Sequence, residues 1–190
     1  MDRSELKNKK MNFNQIVLEK LEPLFLKYDL NIVEQRDDYL KFESSYLSIA
    51  VTHNKLEKSN TIWLSRNKKT TNIVEMDDTI LRDFFGSALK ISQVPMNTFV
   101  DNLASFFENE GKLLLIGDAE KMKELEQFSL KRSRAYTDEL LARQHLSAAD
   151  KAWKNEDYLE FVNLINQVNE RYMLPSYKSK YAIAKKRVDR

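Results

Sequence analysis

A block of alternating apolar and polar residues constrains the fold of this chain more than any other feature. The apolar positions recur at every second residue within short runs, and they are Leu40, Phe42, Leu47, Ile49, Val51, Ile62 and Leu64. Successive side chains of a strand point to opposite faces, so this period of two predicts an antiparallel sheet with one buried face. Because the flanking sequence has helical spacing, we expect an α+β fold: an N-terminal helix, a small antiparallel β-meander of three to five strands, and a C-terminal helical bundle.

The boundaries of the first elements follow from turn residues. Apolar spacing predicts a helix over residues 12–28. At Pro23, where one amide donor is missing, the helix either kinks or breaks into two pieces, and we expect a kink. Strands are then expected at four places, and residues 72–75 either add an edge strand or remain irregular. The four expected strands cover residues 30–36, 39–43, 46–53 and 61–66.

The second half of the chain has the period of amphipathic helices. Asp77 or Asp78 is expected to cap a helix that ends before Pro95, and another helix starts near Asn97. A long helix is predicted over residues 119–145. The side chains expected to face the core from this helix are Met122, Leu125, Phe128, Tyr136 and Leu140.

A closing helix pair is predicted to turn at Asn155 and Glu156, and Pro175 opens a last, basic helix. The expected organisation is therefore an N-terminal part over residues 1–75, with the helix and the sheet, and a helical part over residues 76–190. We expect the two parts to pack as one compact unit.

Composition excludes several classes of protein. The 190 residues include no cysteine, which excludes disulfides and thiolate chemistry and fits the cytoplasm. A formal net charge of +2 provides no overall attraction for nucleic acid, and three glycines are too few for a phosphate-binding loop, so no cofactor is expected. The N-terminus lacks the apolar core of a signal peptide, and no apolar run is long enough to cross a membrane.

The residues that could carry catalysis have ordinary structural explanations. His53 and His145 are the only histidines, and neither lies in a metal-ligand spacing. The adjacent carboxylates at 77 and 78 are typical of a helix cap, and those at 37 and 38 of a turn. No metal and no enzymatic activity are therefore expected. The alternative is an enzyme whose carboxylate and tyrosine site is assembled only in the fold, from Asp77, Asp78, His53 and Tyr136.

A second alternative is a regulator that binds nucleic acid through its basic C-terminus. Five cations lie close together there: Lys178, Lys180, Lys185, Lys186 and Arg187. Phosphate binding by such a cluster would depend steeply on salt. The long helix also carries cations, but acidic residues interrupt them, which favours a solvated face.

Aromatic residues near the sheet suggest a protein-binding patch instead. Trp63 follows Ile62 in a strand and so faces away from it, which means either that helices cover both sides of the sheet or that Trp63 belongs to an exposed binding surface. Tyr39 and Tyr46 lie close to an acidic turn. Aromatic side chains are enriched where proteins bind each other. The predicted partner-binding residues are Asp37, Asp38, Tyr39, Tyr46 and Trp63.

The order of segments resembles a group of uncharacterised bacterial cytosolic proteins of the immunity type found in polymorphic toxin systems. The segments that carry the likeness are Tyr28-Asp29-Leu30, Tyr39-Leu40-Lys41-Phe42-Glu43, residues 46–51 and Leu114-Leu115-Ile116-Gly117-Asp118. The resemblance implies a small non-catalytic protein that binds and blocks a toxin. The leading expectation is therefore a cytoplasmic protein-binding module of the immunity type, of unspecified oligomeric state.

One further likeness concerns the C-terminal hairpin. Residues 154–158 resemble the turn between the two helices of a tetratricopeptide unit, with Glu156 where that family prefers glycine. The likeness covers one repeat, and a single repeat cannot form a solenoid because it cannot bury its own faces. We therefore interpret this segment as a closing helical hairpin.

Overall fold

The computed structural model describes residues 12–66 and 72–189. The chain forms two compact units, Met1–Ser129 and Leu130–Arg190. Their boundary lies between residues 129 and 130, whereas the sequence placed a division after residue 75. The fold class is α+β, as predicted: an N-terminal helical segment, a five-stranded antiparallel sheet and a helical C-terminal region.

The elements of the first unit begin with two short helices and the sheet. These are α1 (Phe13–Lys20), α2 (Glu22–Leu26), β1 (Asn31–Arg36), β2 (Tyr39–Glu43), β3 (Leu47–Asn54), β4 (Ser59–Arg66) and β5 (Val74–Met76). The helices that follow are α3 (Asp78–Asp83), α4 (Met96–Glu108), α5 (Lys112–Leu115) and α6 (Ala119–Lys154). The boundary between the units falls within α6. The remaining elements of the second unit are α7 (Tyr158–Asn166), a 3₁₀ turn (Glu170–Tyr172) and α8 (Pro175–Val188).

The N-terminal helical segment is divided in two. Asn12 and Gln15 form a reciprocal capping box that starts α1. Pro23 lies in the first turn of α2, where its missing N–H costs nothing because that position has no helical acceptor. The predicted kink is therefore wrong: the helix ends at residue 20, and a separate helix starts after Leu21.

The sheet is a meander in the order β1-β2-β3-β4-β5 with every pair antiparallel. Its buried face consists of two rows of cross-strand neighbours. One row is Leu40, Val51, Ile62 and Met76, and the other is Phe42, Ile49, Leu64 and Val74. The alternation in the sequence thus predicted the inward face correctly, and β5 is the edge strand that the pattern left open.

This face packs on the core of the first unit, in which aromatic rings from several helices meet. Phe25 contacts Phe42 of the sheet and Phe107 of α4, with ring centroids 4.9 and 5.4 Å apart. Phe106 is fully buried and packs edge-on against Phe85 at 4.9 Å. The beginning of α6 joins this core through Met122 and Leu125, as predicted.

The long helix continues further than its sequence pattern indicated. It runs to Lys154 rather than to residue 145, and the turn after it contains Glu156 in a left-handed conformation at φ 60°. The prediction that Tyr136 and Leu140 face the core is wrong, because their side chains are 70% and 44% exposed. The reason is that helical periodicity indicates one apolar side of a helix but not whether another element covers it.

The second unit has a small core of its own. Its buried members are Ala149, Ala152, Phe161, Ile165 and Ala184. Trp153 lies against Phe161, with ring centroids 5.2 Å apart, and against Tyr158 at 5.5 Å. The predicted helical hairpin at residues 154–158 is thereby formed by the end of α6 and by α7.

Candidate functional site

The outer face of the sheet carries the aromatic residues that the sequence singled out beside the meander. Its central row crosses all five strands at Glu34, Lys41, Ala50, Trp63 and Glu75. A second row is Arg36, Tyr39, Thr52 and Thr61, and a third is Asn31, Glu43, Ser48 and Ser65. These residues alternate with the buried ones, so they share one face.

Small side chains follow the central strand of this face. The outward side chains of β3 are small: Ser48, Ala50 and Thr52. Trp63 on β4 is paired with Ala50, and Tyr39 on β2 is paired with Thr52, so the two aromatic residues lie two strands apart and in neighbouring rows. The small side chains of β3 therefore lie between Trp63 and Lys41 in the central row and next to Tyr39 in the second row.

Trp63 is half-buried and belongs to neither hydrophobic cluster of the described residues. No aromatic ring in the described part of the chain stacks on it. Tyr39 is also half-buried, and this burial, followed by the nearby Glu34 carboxylate, raises the pKa of its phenol. The Tyr39 phenol is thus neutral at physiological pH. Like the indole of Trp63, it presents apolar surface together with a polar group.

Ion pairs organise the charges of this face. Lys41 Nζ lies 2.7 Å from Glu43 Oε1, and this hydrogen bond raises the pKa of Lys41. Arg36 forms an ion pair with Glu34, and both residues lie on the edge strand β1. Together with Glu75 these groups are three carboxylates and two cations. The face is therefore slightly acidic.

The acidic turn between β1 and β2 borders one end of the face. Asp38 adopts a left-handed conformation at φ 58°, and its carboxylate pairs with Lys55. Its backbone carbonyl accepts hydrogen bonds from Thr52 Oγ1 at 3.0 Å and from His53 N–H at 2.9 Å. Asp37 is exposed. Asp38 thus secures the turn, and Asp37 is open to solvent.

Tyr46 is separated from the other predicted partner-binding residues. It packs against the core of the first unit, and its hydroxyl donates a hydrogen bond to the carbonyl of Leu115. Its ring lies so close to Gly117 that a Cβ there would stand 2.8 Å from two ring carbons. Burial raises the pKa of its phenol. Tyr46 thus connects the sheet to the segment before α6.

The residues proposed for an enzymatic site serve separate structural purposes. The Asp77 carboxylate caps α3 by accepting from Ile80 N–H at 2.8 Å. Asp78 Oδ1 accepts from the N–H groups of Ile91 and Ser92 at 2.7 and 2.8 Å. His53 Nδ1 lies 2.8 Å from Asn60 Oδ1.

Tyr136 lies in the second unit and is exposed. Within residues 12–66 and 72–189, no three histidine, aspartate or glutamate side chains are grouped as metal ligands would be. His145, the second histidine, lies within α6 as a half-buried residue. None of these groups is arranged as an acid, a base and a nucleophile around one point.

A cluster of ionisable groups does occur in the second unit. Tyr177 donates a hydrogen bond of 2.6 Å to Asp150 Oδ2, and Lys180 Nζ lies 3.2 Å from Asp150 Oδ1. Burial and this hydrogen bond raise the pKa of Tyr177 to about 12, whereas the same bond lowers the pKa of Asp150. These contacts join Asp150 of α6 to Tyr177 and Lys180 of α8 within the second unit.

Several cations of the C-terminal helix are engaged within the second unit. Lys178 pairs with Glu170 at 2.7 Å, and Lys180 pairs with Asp150 while lying 5.6 Å from the centre of the Trp153 ring. Arg187 donates to the Tyr158 hydroxyl at 2.7 Å. Their charges and stems are thus used in intramolecular packing.

The cavities differ in size and position. One of about 50 Å³ lies beside Tyr46, Arg66 and Gly117, and can hold water but no substrate of ordinary size. An open groove of about 350 Å³ lies in the second unit, with Ile165 and Val168 in its floor and the Glu170–Lys178 pair at its rim. Neither borders the outer face of the sheet.

Comparisons with protein families, with curated proteins and with solved structures found no match. In the described ranges, no helix has the length and apolar character needed to cross a bilayer. The sequence singled out Tyr39 and Trp63 but missed Lys41, Glu43 and Ala50, although the same period of two that located the core also assigned these residues to the opposite face.

Proposed function

We propose that this protein is a non-catalytic, cytoplasmic protein-binding module that docks its partner on the outer face of the sheet, and that it acts as an immunity-type inhibitor by covering the functional surface of a toxin. The observation that supports the proposal is the position of Trp63. This side chain stands half-buried at the centre of a preformed sheet face, outside both hydrophobic cores.

Three properties of the face favour a protein partner. Tryptophan and tyrosine supply large contact areas at a small cost in side-chain entropy and are frequent among residues that dominate binding energy. The small side chains along β3 leave room for a projecting side chain of the partner beside Trp63 and Tyr39. The strands hold this shape before binding, which lowers the entropic cost of association.

The charges of the face define the chemistry of the partner. This face has more carboxylates than cations, so the complementary surface of a partner is basic. The three carboxylates are those of Glu34, Glu43 and Glu75, and the cations are Lys41 and Arg36. Opposite charge mainly accelerates association, whereas the buried aromatic contacts determine how slowly the complex dissociates. A basic toxin surface fits this face, whereas a nucleic-acid backbone would meet like charge there.

The test is protection of bacteria that express the toxin gene adjacent to the gene for this protein, combined with binding of the purified pair. Trp63→Ala is expected to abolish protection and to weaken binding by ~30-fold or more. Leu56→Ala is the matched control, because Leu56 is 96% exposed on the β3–β4 turn of the same sheet but off its outer face. Equal protection and affinity for both variants would refute the proposed face, and no protection by the unaltered protein would refute the inhibitor.

The proposed effect of charge on association is tested separately, by measuring the association and dissociation rates of the purified pair. Glu75→Lys is expected to slow association about threefold at low salt, with little change in the dissociation rate. The difference should vanish at high salt. A change confined to the dissociation rate would mean that Glu75 forms a direct buried contact instead of steering the partner.

A further inference from the structure

The groove of the second unit has an apolar floor that is continuous with the core of that unit. Ile165 and Val168 are buried, and Met173 packs against the same hydrophobic cluster as Ile165. The groove measures about 350 Å³. This volume lies at the lower end of the range for small-molecule sites, which is about 300–1,000 Å³. The floor therefore fits the apolar part of a small molecule.

Two groups of opposite charge stand at the rim of this groove. Lys178 Nζ lies 2.7 Å from Glu170 Oε1, and this hydrogen bond lowers the pKa of Glu170, so both groups are charged at neutral pH. The bond uses one of the three protons of the ammonium and one of the two oxygens of the carboxylate. Within residues 12–66 and 72–189, the ammonium and the carboxylate have no further partner. Each of them can therefore bind a ligand while their own bond is kept.

A neutral amide contributes further donors to the rim. Asn166 Oδ1 accepts a hydrogen bond from Tyr181 Oη at 2.8 Å, and both residues line the groove. In the part of the chain that the structure describes, Asn166 Nδ2 donates to no other group, so its two protons remain for a ligand. Asn166 and Lys178 thus supply donors beside the apolar floor, and Glu170 supplies an acceptor.

The opposite charges of the rim select among small molecules. A carboxylic acid with an apolar chain would bind the donors of Lys178, but its charge would repel Glu170. An amine with the same chain would bind Glu170 and repel Lys178. A molecule that carries an ammonium and a carboxylate beside its apolar group matches both charges. A residue within a polypeptide has neither of these charges on its backbone, so the rim favours a free amino acid over a docked peptide.

We propose that this groove binds a free amino acid with a large aliphatic side chain. The side chain lies on the apolar floor, the α-ammonium donates to Glu170 Oε2, and the α-carboxylate accepts from Lys178 and Asn166. The side chains of Lys178 and Glu170 are 51% and 80% exposed, so solvent screens these contacts. A Kd of roughly 0.1–1 mM is therefore expected. The proposal does not rest on the proposed function.

NMR titration of the full chain with L-leucine tests the proposal. Saturable shifts are expected for backbone amides of residues 165–181. Three compounds test the parts of the ligand: L-leucinamide lacks the carboxylate, N-acetyl-L-leucine lacks the ammonium, and L-alanine lacks the large side chain. Each should bind at least tenfold more weakly than L-leucine. The absence of saturable shifts with L-leucine, or equal affinity for all four compounds, would overturn the proposal.

Variants of the rim connect each charge of the ligand to one residue. Lys178→Met keeps an apolar stem but removes the ammonium, so it should raise the Kd for L-leucine at least tenfold and leave that for L-leucinamide unchanged. Glu170→Gln should likewise weaken binding of L-leucine but not of N-acetyl-L-leucine. Lys186→Met is the matched control, because Lys186 is an exposed cation of the same helix that does not line the groove. Equal loss of L-leucine binding in Lys178→Met and Lys186→Met would overturn the assignment of the groove.

A second copy of this chain is the other occupant that the same measurement detects. Shifts of residues 165–181 are expected to require L-leucine and to be independent of protein concentration. Shifts of these amides on concentrating the protein without L-leucine would assign the groove to self-association and would overturn the proposal.

Discussion

The two units of this chain are stabilised by different means. In the first, phenylalanines from the helices pack on the sheet and are fully buried. In the second, alanines form most of the buried core, and half-buried aromatic residues around it are held by polar contacts such as those of Asp150, Tyr177 and Lys180. The first unit therefore depends on packing, whereas the second depends on hydrogen bonds and charges that pH can alter.

The chain offers one fluorescent reporter for each unit. It contains two tryptophans, Trp63 in β4 and Trp153 at the end of α6. Trp153→Phe leaves a signal only from the first unit, and Trp63→Phe leaves a signal only from the second. Denaturation of these two variants measures the free energy of unfolding of each unit separately, and every prediction below is made in one of these backgrounds.

The largest effect is expected from a cavity in the first core. Phe106→Ala should lower the free energy of unfolding of the first unit by about 4 kcal/mol, because the ring is fully buried between Phe85 and Phe107. Phe106→Leu, which keeps most of the volume, should cost about 1 kcal/mol. Equal losses for the two variants would contradict a first unit governed by packing.

A smaller effect is expected where the backbone approaches Tyr46. Gly117→Ala should cost about 3 kcal/mol, since φ is +79° and the new Cβ would displace the Tyr46 ring. Gly86→Ala is matched in backbone conformation, at φ +70°, but has open space, and should cost about 1 kcal/mol. Chemical denaturation followed through Trp63 measures the difference. Identical costs would mean that Tyr46 yields freely and does not hold the sheet to residue 115.

A polar change should affect the second unit alone. Asp150→Asn removes the charged partner of Tyr177 and Lys180 and should destabilise this unit by about 2 kcal/mol. Trp153 fluorescence should register the loss, and Trp63 fluorescence should not. A loss that both reporters register to the same extent would show that the units unfold together.

The smallest effect concerns alkaline pH. The pKa of Tyr177 is raised to about 12 in the folded unit, above the ordinary value of 10.0. Protonated Tyr177 therefore contributes fully to the free energy of unfolding of the second unit below pH 10. This contribution is lost as the pH rises toward 12, because the tyrosine of the unfolded chain releases its proton first. The loss should be about 1 kcal/mol after allowance for solvent screening. In Tyr177→Phe the second unit should lose this pH dependence; its persistence would assign it to another group.

Much of the fold followed from local patterns. The alternation at Leu40, Phe42 and Ile49 correctly predicted both the sheet and its buried face, since this period depends only on strand geometry. Asn12 and Asp77 were recognisable as helix caps for a similar reason. Boundaries were less predictable: nothing near residue 145 shows that α6 continues to Lys154.

The candidate site was predicted only in part. Trp63 and Tyr39 could be placed on the outer face because a neighbour in a strand points the opposite way. Tyr46 could not be placed, because it lies just before β3, where no period applies, and its contact with Leu115 joins residues 69 positions apart. The exposed side of α6 was missed because an apolar stripe has the same spacing whether or not it is covered.

The sequence by itself determined the class of elements, the inward face of the meander and the absence of thiol chemistry, because each depends on residue type or on neighbours along the chain. Only the tertiary structure decided which aromatic residues remain accessible and where α6 leaves the first core. These properties depend on which distant elements exclude water from a side chain, and periodicity carries no information about that. The environments of Trp63, Tyr46 and Tyr136 are therefore results of packing.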